Sequence, residues 1–296
     1  MRERFFCADA ARARGDALAG TAPYGVVWIL VEYRGGWPHN GFEGLDLDPE
    51  TKRVVFAAAQ AVRARVLLVR RHGRRLPEGP PRWAVLRYGN DGAHRQQWGV
   101  WNRDEDLREI VGALGAPGEP DSRPLVLVCA HGVHDACCAV RGRPAGRVLS
   151  EARPDLVWEC THVGGDRFAA NVVVLPDGVY YGGLDSSSAL LAVEEHLAGR
   201  IRADHLRGYT NLNPPQQAAT AAVLRAHGPA GRHDYAVVET LRVGDRWRVR
   251  VAGRPPDGPV FDVEVRADRT APERLTCNGT VPSSAVRYTV TSLRAH

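Results

Sequence analysis

The sequence predicts an α/β protein in which the order β-α-β-β-β-α occurs twice and is followed by a helix and a small antiparallel β C-terminal segment. Three observations predict it. Short runs rich in valine, leucine and isoleucine alternate with segments whose apolar residues recur at helical spacing. Residues 115–124 hold three prolines and two glycines and divide the two repeats. From Tyr235 onward apolar and polar residues alternate, as antiparallel strands with one wet face require.

The elements follow in order. An apolar run at 26–33 reads as a strand, and 49–64 as a helix with Val54, Val55, Ala58 and Val62 at helical spacing. Strands are expected at 66–70, 83–88 and 97–101, separated by Gly, Pro and Asn turns, and then a helix at 104–114 that Asp104 is placed to cap. The second repeat has strands at 125–129, 156–160, 171–175 and 179–181. Its helices fall at about 137–152 and 186–199, the latter with Leu190, Leu191, Val193 and Leu197 on its apolar side. Residues 214–227 read as a helix with proline in its first turn and Ala218, Ala222 and Val223 on one face. The two repeats resemble a pair of tandem thioredoxin-like modules. The division expected along the chain is a first module at 1–120, a second at 121–205, and the helix with antiparallel strands at 206–296. The first module has no cysteine between its opening strand and helix, so it reads as a structural or docking partner and the chemistry falls in the second.

Composition narrows the function. A chain of 296 residues, 44% hydrophobic and 25% charged, has the balance of a globular protein. The net charge of +5 is carried almost wholly by arginine, Lys52 being the one lysine. Those arginines are scattered among acids and form no stripe, so nucleic acid is not an expected partner. No apolar run reaches the roughly 18 residues of a membrane span. The opening Met-Arg-Glu-Arg-Phe-Phe-Cys lacks the apolar core of a signal peptide, so a cytoplasmic protein is expected. No carboxylate pair marks a glycosidase, and no glycine motif sits between a strand and a helix as a nucleotide site requires. Ser186, Ser187 and Ser188 read as a helix start, not as a nucleophile.

Four of the six cysteines and three of the eleven histidines lie between Cys129 and His162. In a reducing compartment such a cluster reads as metal ligands or redox thiols before disulfides, and the adjacent Cys137 and Cys138 pair with each other only under strain. Cys129 closes one strand, and Cys137 and Cys138 open the next helix, where the helix dipole favours thiolate. His162 follows the next strand. Gly164 and Gly165 then let the backbone pass close to something bulky, and Asp166 stands four residues after His162. Sulfur and imidazole donors converging from two loops suit a transition metal or an iron–sulfur cluster.

Several stretches together resemble the sucrase/ferredoxin-like family. They are Cys-x8-Cys at Cys129 and Cys138, Trp158-Glu159, His-Val-Gly-Gly-Asp-Arg-Phe-Ala-Ala-Asn from His162, and Leu-Pro-Asp-Gly-Val-Tyr-Tyr-Gly from Leu175. Gly15-Asp16, Gly20-Thr21-Ala22-Pro23 and Leu275-Thr276-Cys277 extend the likeness over most of the chain. The resemblance implies a thioredoxin-like ferredoxin with a [2Fe-2S] cluster held by two cysteines and two histidines, the latter as His-x3-His. Cys129, Cys138 and His162 match those places. Asp166 stands where the second histidine would be.

Three arrangements are open for the fourth place. Asp166 ligates iron through oxygen; or Asp166 accepts the other ring N–H of His162 while Cys137, Cys160 or Cys277 supplies the ligand; or no cluster forms, and the site is a zinc site or a thiol pair. The expected function is electron transfer to a redox partner protein. The alternatives are a redox enzyme, either a thiol oxidoreductase using Cys137 and Cys138 or a cluster-dependent, pathway-specific enzyme, and a zinc-stabilised interaction domain. The thiol version lacks the Cys-x-x-Cys spacing of thioredoxin-type exchange. Arg141, Arg143, Arg147 and Arg167 lie near the ligands in sequence and read either as a solvated face or as a dock for an acidic partner.

Overall fold

The computed structural model describes residues 4–74, 78–89 and 93–296; residues 1–3, part of the N-terminal stretch read above, and 90–92, in one of the turns, lie outside the described residues. Helix α1 (Cys7–Arg14) ends at Gly15, which takes the left-handed conformation that closes a helix without a Cβ penalty. Strand β1 (Val27–Glu32) is buried throughout. Helix α2 (Pro49–Ala61) starts at Asp48, whose side chain accepts the Thr51 N–H at 2.7 Å. Strands β2 (Arg65–Arg70), β3 (Arg82–Tyr88) and β4 (His94–Val100) lead through a 3-10 turn at Asp104–Arg108 to α3 (Glu109–Gly115) and the short β5 (Glu119–Pro120).

The second repeat follows as β6 (Leu125–Cys129), α4 (Ala136–Ala152), β7 (Val157–Cys160), β8 (Val172–Leu175), β9 (Val179–Tyr181) and α5 (Ser186–Leu197). Then come β10 (Leu206–Tyr209), α6 (Pro214–His227), β11 (Tyr235–Val243), β12 (Arg246–Gly253), β13 (Val260–Arg269) and β14 (Val286–Ala295). The twice-repeated β-α-β-β-β-α order is present as expected.

By contacts the chain forms two compact units, one of residues 25–163 and 172–178, the other of 1–24, 164–171 and 179–296. They are drawn through space, whereas divisions at 120 and 205 follow chain order. In the first of these units the strands run β8-β6-β7-β2-β1-β3-β4-β5. Within it β1 and β2 are parallel, β3 is antiparallel to β1, and β4 is antiparallel to β3. Strands β6 and β7 repeat the parallel pair, with β8 antiparallel to β6. Each half thus has the mixed order of a thioredoxin-like sheet. The halves are not separate beads: β2 pairs β7 antiparallel, Val69 with Cys160 and Arg70 with Glu159, so one sheet runs through both.

Ile29, Val31, Leu68, Trp83 and Val85 pack under α2 and α3 with Val55, Ala59, Leu107 and Ile110. Side chains of this size each contribute about 1.5–3 kcal/mol on full burial. The inward face of α2 is Thr51, Val55 and Ala59, while Val62 is exposed. In the other unit β11-β12-β13-β14 form an antiparallel sheet, and Ala218, Ala219 and Val223 of α6 pack on its buried Val249, Val251, Phe261, Val263 and Val265.

Four local expectations change. Asp104 does not cap its own helix; its carboxylate accepts the Asp48 N–H at 2.7 Å and so ties the 104–108 turn to the start of α2. The expected linker at 115–124 contains β5, paired with β4 through Gln96 and Glu119. Helix α5 is capped by Asp185, which accepts the Ser188 N–H at 2.8 Å while Ser188 Oγ accepts the Asp185 N–H. Its inward face is Ala189, Ala192, Val193 and His196, with Leu191 half exposed. Helix α1 and strand β10 escape sequence reading because neither has a sustained apolar period.

Gly142 sets the approach of α4 to β6, since a Cβ there would overlap the Cys129 carbonyl oxygen. Gly142→Ala is expected to cost about 1–3 kcal/mol by overpacking, read as a lower urea midpoint at unchanged m-value. Hydrogen bonds from Ser188 and Ser187 hold the Asp185 carboxyl well below its ordinary 3.8. Because the folded value is the lower one, this cap contributes fully above about pH 4 and is lost as the pH falls through the depressed value. Asp185→Asn is expected to flatten the acid limb of the stability curve, and an unchanged limb would show that the cap is energetically silent.

Candidate metal centre

Strand β6 runs parallel to β7 with Cys129 opposite Cys160, so the loops leaving both strands emerge at one end of the sheet. The first loop carries His131 and His134 and ends at Asp135, whose carboxylate accepts the Cys137 N–H at 2.8 Å and starts α4. That start places Cys138 in the first turn, where the dipole favours a thiolate. The second loop carries Thr161 and His162. Thr161 fixes it to β2, its hydroxyl accepting the Leu68 N–H at 3.0 Å while its own N–H donates to the Leu68 carbonyl at 2.9 Å.

The donor atoms of Cys129, Cys138 and His162 lie within 4.8 Å of one another. Cys138 Sγ is 3.8 Å from His162 Nδ1. Both cysteines are buried and His162 is half-buried. A hydrogen bond from Cys138, then His162, and the His131 backbone N–H hold the Cys129 thiol well below its ordinary 9.0, overcoming the opposing effect of burial. That is the direction metal binding needs, because the thiolate is the ligand. Cys160 goes the other way: burial, then the charges of Cys129 and Glu159, push its thiol up, so it stays protonated.

The histidines here are more organised than the sequence indicated. His131 Nδ1 accepts the His162 backbone N–H at 3.3 Å, which leaves its proton on Nε2 to donate to the Pro38 carbonyl at 2.9 Å. Burial lowers its pKa to about 4, keeping the ring neutral near pH 7. His131 is therefore a prop for the second loop, with both ring nitrogens engaged. The rings of His134 and His162 stack at 3.9 Å between centroids and 18° between planes, and exposed His39 lies 5.0 Å beyond His134. Neither His39 nor His134 was a sequence candidate; their signal is position in loops that only the folded sheet brings together.

The remaining expected donors are Cys137, Asp166, Cys160 and Cys277. Cys137 donates its N–H to Asp135, and its side chain, one residue before Cys138, leaves the helix in a different direction from that of Cys138. Asp166 and Cys277 belong to the other compact unit. There Asp166 is buried at the head of the Asp166–Phe168 turn, and Cys277 Sγ is 3.6 Å from Cys7 Sγ. The bulky groups that Gly164 and Gly165 accommodate are Pro23 and the Arg207 guanidinium, which a Cβ would meet at 2.9 and 2.5 Å. Buried Arg207 donates to the Gly164 carbonyl at 2.7 Å, Asn171 Oδ1 at 2.9 Å and the Thr21 carbonyl at 2.6 Å. On α4, Arg143 and Arg147 are exposed and Arg141 is half-buried, while Arg167 pairs with Asp16 at 3.2 Å.

A mixed sheet that ends in two buried sulfur atoms and an imidazole defines a protein with a candidate soft-ligand metal site on a thioredoxin-like framework. The chain belongs to the sucrase/ferredoxin-like family, whose model matches residues 18–208. Altered inheritance of mitochondria protein 32 from Meyerozyma guilliermondii is 35% identical over 98 residues, a match covering 29% of this chain and 35% of that protein. The match thus spans about a third of the relative's length. A crystal structure of a cysteine-to-serine variant of the thioredoxin-like [2Fe-2S] ferredoxin from Aquifex aeolicus is 26% identical, covering 26% of this chain and 89% of that one, with a TM-score of 0.23. No helix among the described residues is long and apolar enough to cross a membrane.

Replacing His131 by Phe keeps ring volume but orphans the His162 N–H and the Pro38 carbonyl. Both groups are partly buried, so urea unfolding of the metal-free variant is expected to show a combined loss of about 1–3 kcal/mol. A loss below about 0.5 kcal/mol, the size of an ordinary surface change, would show that His131 is no prop.

Proposed function

We propose that this protein is an electron-transfer protein that holds a [2Fe-2S] cluster through Cys129, Cys138 and His162. The observation that carries the reading is the convergence of two buried sulfurs with the Nδ1 edge of a histidine at one end of the sheet. The donor set fits the group: thiolate and imidazole together are the ligands of mixed [2Fe-2S] centres. Family membership supports the same reading.

When bound, such a cluster accepts and returns one electron at a time. The chain's residues prepare the place for it. The His131 N–H directed at Cys129 Sγ stabilises negative charge on that sulfur. Neutral imidazole in place of a thiolate leaves the centre less negative, which raises its potential relative to an all-cysteine site. His162 and His134 are half-buried and His39 is exposed, so the histidine side of the site faces outward and is where a redox partner protein would approach. No disulfide joins the six cysteines, and a reducing compartment such as the cytoplasm is the location this reading proposes.

Anaerobic purification is expected to yield a brown protein with about two iron and two acid-labile sulfide per chain, bleached by dithionite. Cys129→Ser is expected to lower iron content at least tenfold while far-UV circular dichroism stays unchanged. Zinc without sulfide would replace this reading with a structural zinc site. A colourless, metal-free protein whose thiols titrate in pairs would replace it with a thiol oxidoreductase.

A further inference from the structure

We propose that Cys7 and Cys277 form a peroxide-sensitive dithiol, which closes to a disulfide and so ties helix α1 to the β13–β14 connection. Neither sulfur belongs to the donor set of the candidate metal centre. They are the two cysteines of the compact unit formed by residues 1–24, 164–171 and 179–296, and the remaining four lie in the other unit. Their Sγ atoms are 3.6 Å apart across a sequence separation of 270 residues. Each sulfur has about 0.8 Å to travel to reach the ~2.0 Å of a disulfide bond.

Both sulfurs are carried by segments that are pinned in place. Helix α1 ends in a pair of closing bonds, the Gly15 N–H to the Arg12 carbonyl at 3.0 Å and the Asp16 N–H to the Ala11 carbonyl at 2.9 Å. The β13–β14 connection is closed by Glu273 and Ser283, which exchange backbone hydrogen bonds at 3.0 and 2.9 Å. Within it the Gly279 N–H donates to Thr276 Oγ1 at 2.8 Å, and the Arg274 guanidinium donates to the Cys277 carbonyl. Arg274 also lies 4.2 Å over the ring of Phe5, just ahead of α1, and Arg14 at the far end of that helix pairs with Glu273 at 3.8 Å. The two segments therefore meet through an ion pair, a cation–ring contact and the two sulfurs, and the sulfur contact is the one whose chemistry makes it covalent.

The surroundings give the reaction an order. Phe6 offers the start of α1 no side-chain acceptor, and the Cys7 N–H donates to Cys277 Sγ at 3.5 Å. An N–H at the positive end of a helix favours negative charge on the sulfur it faces. Cys7 is fully buried whereas Cys277 is 8% exposed, so a small oxidant reaches Cys277 first. The Cys277 sulfur, as thiolate, attacks one oxygen of hydrogen peroxide; the O–O bond breaks, a sulfenic acid is left on Cys277, and the departing hydroxide takes a proton to become water. The Cys7 sulfur then attacks the Cys277 sulfur. The S–S bond forms, the S–O bond breaks, and the released hydroxide takes up the Cys7 proton as a second water. Two thiols have lost two electrons and two protons, and one peroxide has become two waters. A dithiol reductant reverses the change by exchange. Joining residues so far apart in sequence restricts the unfolded chain, so the oxidised form resists unfolding more than the reduced one.

The test is to treat the reduced full-length protein, as isolated, with one equivalent of hydrogen peroxide, quench it in acid, and map the digested peptides by mass spectrometry. A peptide pair linked through Cys7 and Cys277 is expected, together with a urea midpoint above that of the reduced protein, and dithiothreitol is expected to reverse both. Cys7→Ser is expected to stop the reaction at a sulfenic acid on Cys277, trapped by dimedone, with neither the link nor the rise in midpoint. Cys277→Ser is expected to leave Cys7 unmodified. Recovery of both thiols intact, or a link from either of them to a third cysteine, overturns the proposal, and so does protection of both by a bound metal ion that only a chelator removes. A dimedone adduct on Cys7 in Cys277→Ser, with none on Cys277 in Cys7→Ser, overturns the order of attack. Where a serine variant fails to fold, the peptide map of the unaltered protein decides.

Discussion

The parallel register that sets Cys129 beside Cys160 is the constraint on which the site depends. In a parallel pair both strands end at the same edge, so the loops after β6 and β7 have a common exit. His131, His134, His162 and Cys138 lie on those two loops or in the first turn of α4, and Cys129 is the last residue of β6. An antiparallel pair would send the two loops to opposite ends of a strand about 16 Å long, at ~3.3 Å per residue. Gly142 completes the arrangement by letting α4 lie against the Cys129 carbonyl, which brings Cys138 back over the strand end.

Two buried charged groups, Glu159 and Arg70, are paired where the two halves of the sheet meet. Glu159 on β7 is buried and accepts from Arg70 Nε of β2 at 2.9 Å, with His72 Nδ1 at 3.0 Å from its other oxygen. Removing one member of such a buried pair leaves an uncompensated charge, typically at 3–5 kcal/mol. The Arg70 guanidinium also lies 4.0 Å over the Trp37 ring, and Trp37 meets His131 edge-on. A continuous run of contacts therefore links the β2–β7 junction to the histidine that props the second loop. The first β-α-β-β-β-α half, without a cysteine in its own first loop, supplies Pro38, His39 and Leu68 to the site through this junction.

Electrostatics divides the sulfur atoms by use. Cys129 and Cys160 are neighbours in one ladder and equally buried, yet one is pulled toward thiolate and the other held as a thiol. Burial opposes ionisation in both. Hydrogen bonds from Cys138, His162 and the His131 N–H decide the first case, and the charge that results on Cys129 helps to decide the second.

Sequence alone determined the order of the elements, because apolar periods of 2 and 3.6 residues are local properties. The strand at Leu125–Cys129, the start of α4 and the helix Pro214–His227 are legible in this way. It also marked Cys129, Cys138 and His162, since soft ligands gathered beside strand ends have few other uses. Tertiary structure alone decided which strands are neighbours, that β2 and β7 join the two halves, and that His39, His131 and His134 gather beside His162. Those are contacts between residues far apart in the chain, such as His131 with Pro38, and no local period encodes them. Arg207 makes the same point from the other unit: inside a four-residue strand with no apolar alternation, it is the buried cation to which the backbone around Gly164 is tied.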